Sequence, residues 1–122
     1  MNAVIELLEN VGFIILGLCG LIFLIAGLIQ IKFPPKKINS LYGYRTSSSM
    51  QSEAAWNFAQ IYSAKLSIKV GIIMIAFAFA SLLFHVFSND NQVWISLIII
   101  FTLTGILIFS TEKKLKEKFG KK

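Results

Sequence analysis

The residues whose types could support chemistry are concentrated in one polar stretch, residues 32–69. Arg45 and Glu53 are the most specific of them, because a guanidinium fork and a carboxylate either pair with each other or leave the arginine free for a carboxylate or phosphate ligand. Trp56 and Tyr62 either anchor the chain at a lipid interface or stack against a ligand. The sequence leaves both alternatives open and favours the structural one in each case.

The same stretch lacks the parts from which enzymes build a catalytic centre. It contains no histidine or cysteine, no metal-ligand cluster, no activated serine arrangement and no P-loop. An enzyme that acts on a lipid head group through Asn39, Tyr44, Arg45 and Glu53 is therefore the weaker hypothesis. We expect binding without turnover, with no catalytic residue, no cofactor and no metal.

Three hydrophobic runs flank this stretch and must position it. Residues 11–31 carry no charge over 21 residues, and a rise of about 1.5 Å per residue takes such a helix across the roughly 30 Å hydrocarbon core of a bilayer. Residues 70–87 and 93–110 supply 18 residues each. With 56% hydrophobic residues and a mean hydropathy of +0.72, the chain is predicted to be an all-α membrane protein. We expect one membrane domain over residues 1–122, with three transmembrane helices.

The distribution of charge predicts the orientation of the chain. Its 12 Lys and Arg residues divide between residues 32–69 and residues 111–122, with none in the N-terminal segment or between the second and third runs. Because short segments rich in Lys and Arg stay in the cytoplasm, we expect the N-terminus outside and the C-terminus inside. The net charge of +6 indicates contact with membrane lipids and no nucleic acid, since the cations flank hydrophobic runs.

Residues 32–69 are predicted to form an ordered cytoplasmic loop of 38 residues, because connections between neighbouring helices normally need about 2 to 8 residues. Pro34 and Pro35 should end the first helix and begin a non-helical platform. Ser48 and Gln51 have the spacing of a capping box, so an amphipathic helix should begin near Ser48. Its predicted stripe is Ala54, Phe58, Ile61, Tyr62 and Lys65, with Glu53, Asn57 and Gln60 on another side.

Two shorter segments complete the predicted topology. Residues 88–92 are polar and should form a tight hairpin between the second and third transmembrane helices. Residues 111–122 should continue the third helix as a basic tail. With Leu115 and Phe119 four residues apart and lysines around them, this tail should lie against anionic lipid.

Small residues indicate where the helices pack. Within a membrane they allow backbones to approach closely, and the same surface could bind a second copy of the chain as a homo-oligomer. Cys19 is the single cysteine, so we expect no internal disulfide and assign it no function. The small residues that recur at helical intervals are Gly12, Cys19 and Ala26, then Gly20 and Gly27 on an adjacent stripe, and Ala76 and Ala80 in the second run.

A small membrane transporter is a second class of function. Transporters of this size couple to protons through a carboxylate within the membrane, and all three runs lack Asp and Glu. Apart from Cys19, His85 is the one ionisable side chain inside a run. It lies near the outer end of the second run, and an interfacial histidine is the favoured interpretation.

The polar stretch resembles a known family signature. Asn39, Gly43, Tyr44, Arg45 and Thr46, followed by Ser52, Glu53 and Trp56, are similar to the motif of the SdpI/YfhL family of bacterial membrane proteins. The resemblance implies a non-enzymatic immunity protein of the bacterial cell membrane that resists a secreted peptide toxin, with Asn39, Gly43 to Thr46, Glu53 and Trp56 as a binding surface. The alternative that it implies is an inner-surface module that binds lipid or sequesters a cytoplasmic protein.

Overall fold

The computed structural model describes residues 2–83 and 89–120, without the side chains of Asn2, Leu7 and Asn89. No strand occurs among these residues, which confirms the prediction of an all-α chain. The short helix α1 has no counterpart among the predicted elements. The helices are α1 (Asn2–Glu9), α2 (Val11–Lys32), α3 (Glu53–Ser81) and α4 (Asn89–Phe119), with a 3₁₀ turn at Ser49–Gln51.

Three of these helices, α2, α3 and α4, are long and apolar enough to cross a membrane, as the three hydrophobic runs predict. A helix suits such runs because it satisfies every backbone polar group within the segment. The connection over residues 33–52 and the C-terminal part of α4 lie at one end of the bundle, here named the basic end. The starts of α2 and α4 lie at the opposite end.

The predicted loop of 38 residues is wrong in extent, and its separate amphipathic helix is absent. α3 begins at Glu53 and continues without a break into the second hydrophobic run, so residues 33–52 alone connect two long helices. Lys65 and Lys69 suggested a loop, but both lie exposed on α3. Their long apolar stems allow a helix to hold an ammonium group in water while its backbone lies deeper.

The start and the buried face of α3 also differ from the prediction. Ser52, not Ser48, caps the helix, and its hydroxyl accepts the N–H of Ala55 at 3.1 Å. Ala54 and Lys65 of the predicted stripe are exposed. The buried face combines small residues, which permit close packing, with Trp56 and with polar residues that have partners. Its members are Ala55, Trp56, Ala59, Gln60, Ser63 and Ala64.

Two further boundaries move. α3 ends at Ser81, short of the predicted Phe87, and residues 84–88 with His85 lie outside the described residues. α4 begins at Asn89, so residues 89–92 of the predicted hairpin form its first turn, where Asn and Asp are favoured. The helix continues to Phe119, which confirms that the basic tail extends the third span.

Glycines set the close packing of α2 against α3. A Cβ on Gly20 would lie 2.8 Å from the carbonyl oxygen of Gly71, and one on Gly27 would lie 2.7 Å from that of Ala64. The stripe formed by Gly20 and Gly27 therefore makes the interface. Of the other predicted small residues, Ala26 and Ala76 are exposed and contribute less.

α4 packs more loosely than α2 and α3 in its apolar part, of which 11% is buried, against 33% for α3. Beyond the apolar part it packs tightly, since Leu115 is fully buried against Ala55 and Ala59 of α3. Phe119 packs on the same cluster. The tail was predicted to lie against anionic lipid; the structure shows that its apolar side docks on α3.

Candidate functional site

A polar junction at the basic end joins all three long helices. It consists of Gln30 on α2, Gln60 on α3, Glu112 on α4, and Tyr44, Thr46 and Ser49 in the connection. Its hydrogen-bonded partners lie up to 68 positions apart in the chain. The junction contains the Tyr44 and Thr46 positions of the sequence motif.

Gln60 lies at its centre and is 1% exposed. Its side-chain oxygen accepts the Tyr44 N–H at 2.7 Å, and its side-chain nitrogen donates to the Tyr44 carbonyl at 2.9 Å. The amide therefore pairs with the connection as a neighbouring β-strand would. Gly43 permits this approach, because it has a φ of +106° and any Cβ there would lie 2.5 Å from the Gln60 oxygen.

Gln30 connects the last turn of α2 to this pair. Its side-chain nitrogen donates to the Gln60 carbonyl at 2.9 Å and to the Gln60 side-chain oxygen at 3.1 Å. The Ser63 hydroxyl lies 3.3 Å from the same nitrogen. A buried polar group is costly unless it is hydrogen-bonded, and these contacts meet that requirement where α2 and α3 cross.

Glu112 connects α4 to the junction. One carboxylate oxygen accepts the hydroxyls of Tyr44 and Thr46, each at 2.8 Å. Glu112 lies two residues beyond the apolar run that ends at Ser110. Burial alone would raise the pKa of its carboxyl, but hydrogen bonds from Tyr44, Thr46 and Ser48, with the charge of Lys116, outweigh burial and lower it.

The pKa of the Tyr44 phenol shifts in the opposite direction to that of Glu112. Burial, together with the hydrogen bond and the charge of Glu112, raises the pKa of this phenol. The hydroxyl therefore remains protonated and donates to an ionised carboxylate. A charge-assisted hydrogen bond of this kind is about twice as strong as a neutral one, so the bonds from Tyr44 and Thr46 to Glu112 link the connection firmly to α4.

Ser49 and Asn39 shape the connection itself. The Ser49 hydroxyl accepts the Thr46 N–H at 2.8 Å and lies 3.0 Å from the Tyr44 carbonyl. The Asn39 side-chain oxygen accepts the N–H groups of Leu41 and Tyr42 at 2.9 and 2.8 Å, as in an Asx turn. Both side chains use their polar atoms to hold the backbone.

Trp56 is fully buried, and its indole N–H donates to the Pro35 carbonyl at 2.7 Å. The favoured prediction of an interfacial anchor is therefore wrong for this residue. The sequence gives no sign of this partner, because Pro35 accepts the bond through its backbone carbonyl and has no polar side chain. Trp56 instead fixes the start of the connection on α3.

Arg45 and Glu53 are exposed, and they do not form the favoured ion pair. Within residues 2–83 and 89–120, the one ion pair joins Lys114 and Glu117 at 3.9 Å. The motif therefore divides into two groups. Gly43, Tyr44, Thr46 and Trp56 lie inside the structure, whereas Arg45 and Glu53 face outward.

The predicted site included neither Gln30 nor Glu112, and the predicted face of α3 put Gln60 on the wrong side of the helix. Two of them had a signal. Gln30 is the one amide in an otherwise apolar run, and Glu112 is the first acidic residue after the third run, in a tail dominated by lysine. Among the described residues, no group of three His, Cys, Asp or Glu could hold a metal ion. The junction can orient helices and hold a carboxylate ionised.

A second feature, the three-helix cavity, lies at the opposite end. It encloses about 320 Å³ between α2, α3 and α4, with apolar walls and polar groups from Ser81, Gln92 and Ser96. The Gln92 side chain closes its edge by accepting the Gly12 N–H at 3.0 Å. Its lining residues are Gly12, Leu16, Phe77, Ala80, Ser81, Gln92, Ile95, Ser96 and Ile99.

Comparison of the sequence with known proteins assigns the chain to a family. The sequence model of the SdpI/YfhL protein family matches residues 36–111, which include all of the polar junction except Gln30 and Glu112. A Bacillus subtilis (strain 168) protein described as "Uncharacterized protein YfhL" is 37% identical over 97 residues, 80% of this chain and 82% of the relative. No solved structure matches the chain. With three helices able to span a membrane and a match over more than half its length, the chain belongs to the SdpI/YfhL protein family.

Proposed function

We propose that the chain is an immunity protein of the bacterial cytoplasmic membrane, which resists a secreted peptide toxin without catalysing a reaction. Family membership supports this function. In the proposal the N-terminus lies outside and the basic end lies in the cytoplasm, because in sequence all Lys and Arg residues fall within residues 32–69 and 111–122. A secreted peptide then meets the opposite end of the bundle first.

The observation that carries the proposal is the three-helix cavity at that opposite end. Its volume of about 320 Å³ and its apolar walls suit one bulky apolar side chain of a membrane-active peptide. The polar junction then has a different task. It holds three helices in register at the basic end, so that the cavity keeps its shape.

Filling the cavity should remove protection. Ala80→Phe places a ring where Ala80 lines the cavity, so we expect a sensitive bacterium that expresses this variant to become about tenfold more sensitive to the killing peptide. The measurement is growth against a dilution series of the peptide. Ala76→Phe is the matched control, because Ala76 lies one turn away on α3, is exposed and does not line the cavity. Equal protection by both variants at equal expression would remove the cavity from the mechanism.

A second candidate function rests on the exposure of Arg45 and Glu53. Neither side chain is used inside the bundle, so both can bind a cytoplasmic protein in the proposed orientation. The same growth assay separates the candidates. Loss of protection in Arg45→Ala and Glu53→Ala, with Ala80→Phe unaffected, would favour an inner partner over direct contact with the toxin.

The orientation can be tested by cysteine labelling in intact cells. In a Cys19→Ala background, we expect a membrane-impermeant maleimide to modify Ala3→Cys from the medium and to reach Ser47→Cys only after permeabilisation. Both positions are exposed, so access to the thiol depends on the side of the membrane and not on burial. Labelling of Ser47→Cys in intact cells would reverse the proposed topology.

A further inference from the structure

A cleft between α3 and α4 at the basic end combines aromatic rings with lysines. Its lining residues, here named the aromatic–lysine cleft, are Phe58, Tyr62, Lys114, Glu117 and Lys118, and its volume is about 390 Å³. Neither the family motif nor the polar junction includes any of these side chains.

The aromatic side of the cleft is ordered. The rings of Phe58 and Tyr62 stack with centroids 5.4 Å apart and planes 19° apart, and Phe119 packs edge-on against Phe58 at 5.8 Å. Beneath them, Ala55, Ala59 and Leu115 are fully buried. The floor is therefore fixed by packing between two helices, which distinguishes it from a row of solvated side chains.

The charged side of the cleft is net positive. The Lys118 ammonium lies 4.5 Å from the centroid of the Phe58 ring, and Lys114 stands one turn before it on α4. Glu117 pairs with Lys114 at 3.9 Å. Lys65 follows Tyr62 by three residues and lies on the same side of α3. Three lysines against one carboxylate exclude a cationic ligand and favour an anion.

The position of the cleft along the helices indicates what kind of anion it meets. The third apolar run ends at Ser110, so Lys114 and Lys118 stand about 6 and 12 Å beyond it along α4. This is the depth of lipid head groups, where aromatic side chains are enriched and lysines contact phosphate.

We infer that the aromatic–lysine cleft is a binding site for one anionic phospholipid. The lysines contact the phosphate, and the stacked rings contact the glycerol and the first acyl carbons. This site is independent of the proposed protection against a toxin, and it is local, in contrast to the general attraction of a basic tail to a charged membrane.

Native mass spectrometry of the full-length chain, released from detergent with added lipid, tests the inference. We expect phosphatidylglycerol to bind about tenfold more tightly than phosphatidylcholine, and Lys114→Gln/Lys118→Gln to lower phosphatidylglycerol affinity about tenfold. Lys36→Gln/Lys37→Gln is the matched control, because it removes the same charge from exposed lysines at the basic end but outside the cleft. Its affinity should change less than twofold.

Three results would overturn the inference. Equal loss of affinity in both lysine pairs would mean diffuse attraction, and displacement of the lipid by glycerol 3-phosphate at equal phosphate concentration would mean a site for free phosphate. The third concerns Lys114→Arg/Lys118→Arg, which keeps both charges. If this variant does not bind phosphatidylglycerol with the affinity of the wild type, the inference is wrong. Circular dichroism of each variant confirms that the helices are intact, and no toxin is present, so the result does not depend on the proposed function.

Discussion

Gly71→Val should destabilise the bundle by about 3 kcal/mol, at the upper end of the cost of overpacking a well-packed core. A Cβ at this position would lie 2.6 Å from the carbonyl oxygen of Gly20 and 2.6 Å from the backbone nitrogen of Leu24. Both are backbone atoms of α2, which cannot rotate aside as the end of a side chain can. α2 and α3 would have to separate along their main interface, where small residues are the source of packing energy within a membrane.

Gly105→Val is the control, because it makes the same change on a membrane-spanning helix at a position where an added Cβ has no atom within 4 Å. The measurement is unfolding of each purified variant in mixed micelles of increasing SDS content, followed by circular dichroism. Gly105→Val should lie within about 1 kcal/mol of the wild type, since replacing glycine changes helix propensity by no more than that. If the two variants unfold at the same SDS content, close contact between Gly20 and Gly71 does not hold the helices together.

The elements that follow from solvation by lipid were predictable from the sequence. A charge-free run longer than the hydrocarbon core has few alternatives to a membrane-spanning helix, which is why α2 and the central part of α4 lie where they were expected. The same reasoning failed at the start of α3. Lys65 and Lys69 indicated the end of a loop, but a helix continues through such residues when their side chains reach water.

The site was predictable only in part, for a related reason. The motif located Tyr44 and Thr46, but their partner Glu112 is 68 and 66 residues away, and no local pattern indicates that contact. The predicted amphipathic pattern puts Gln60 on a different side of the helix from its stripe. It is buried because the Tyr44 backbone and Gln30 satisfy its amide, and a hydrophobic pattern carries no information about such partners.

Glu112→Ala should destabilise the protein by about 2 kcal/mol and loosen α4 at the basic end. The variant removes the acceptor of two hydroxyl hydrogen bonds, from Tyr44 and Thr46. Hydrogen bonds to a charged group contribute about 1.5 to 3 kcal/mol each, and partial solvent access of Glu112 reduces their sum. Glu117→Ala is the matched control, because Glu117 is an exposed acid on the same helix whose partner is Lys114 at 3.9 Å. We expect it to change stability by no more than about 0.5 kcal/mol.

The dependence on pH separates the charge of Glu112 from its shape. Because folding lowers the pKa of this carboxyl from its ordinary value of 4.5, its contribution is fully present above pH 4.5 and is lost as the pH falls through the lower pKa of the folded protein. Glu112→Gln keeps the shape but lacks the titration. We therefore expect the stability of the wild type against SDS to approach that of Glu112→Gln when the pH is lowered from 7 to below 4.5. The difference in stability between the wild type and Glu117→Ala should stay the same at both pH values. A constant gap between the wild type and Glu112→Gln at both pH values would mean that the junction depends on the shape of this side chain and not on its charge.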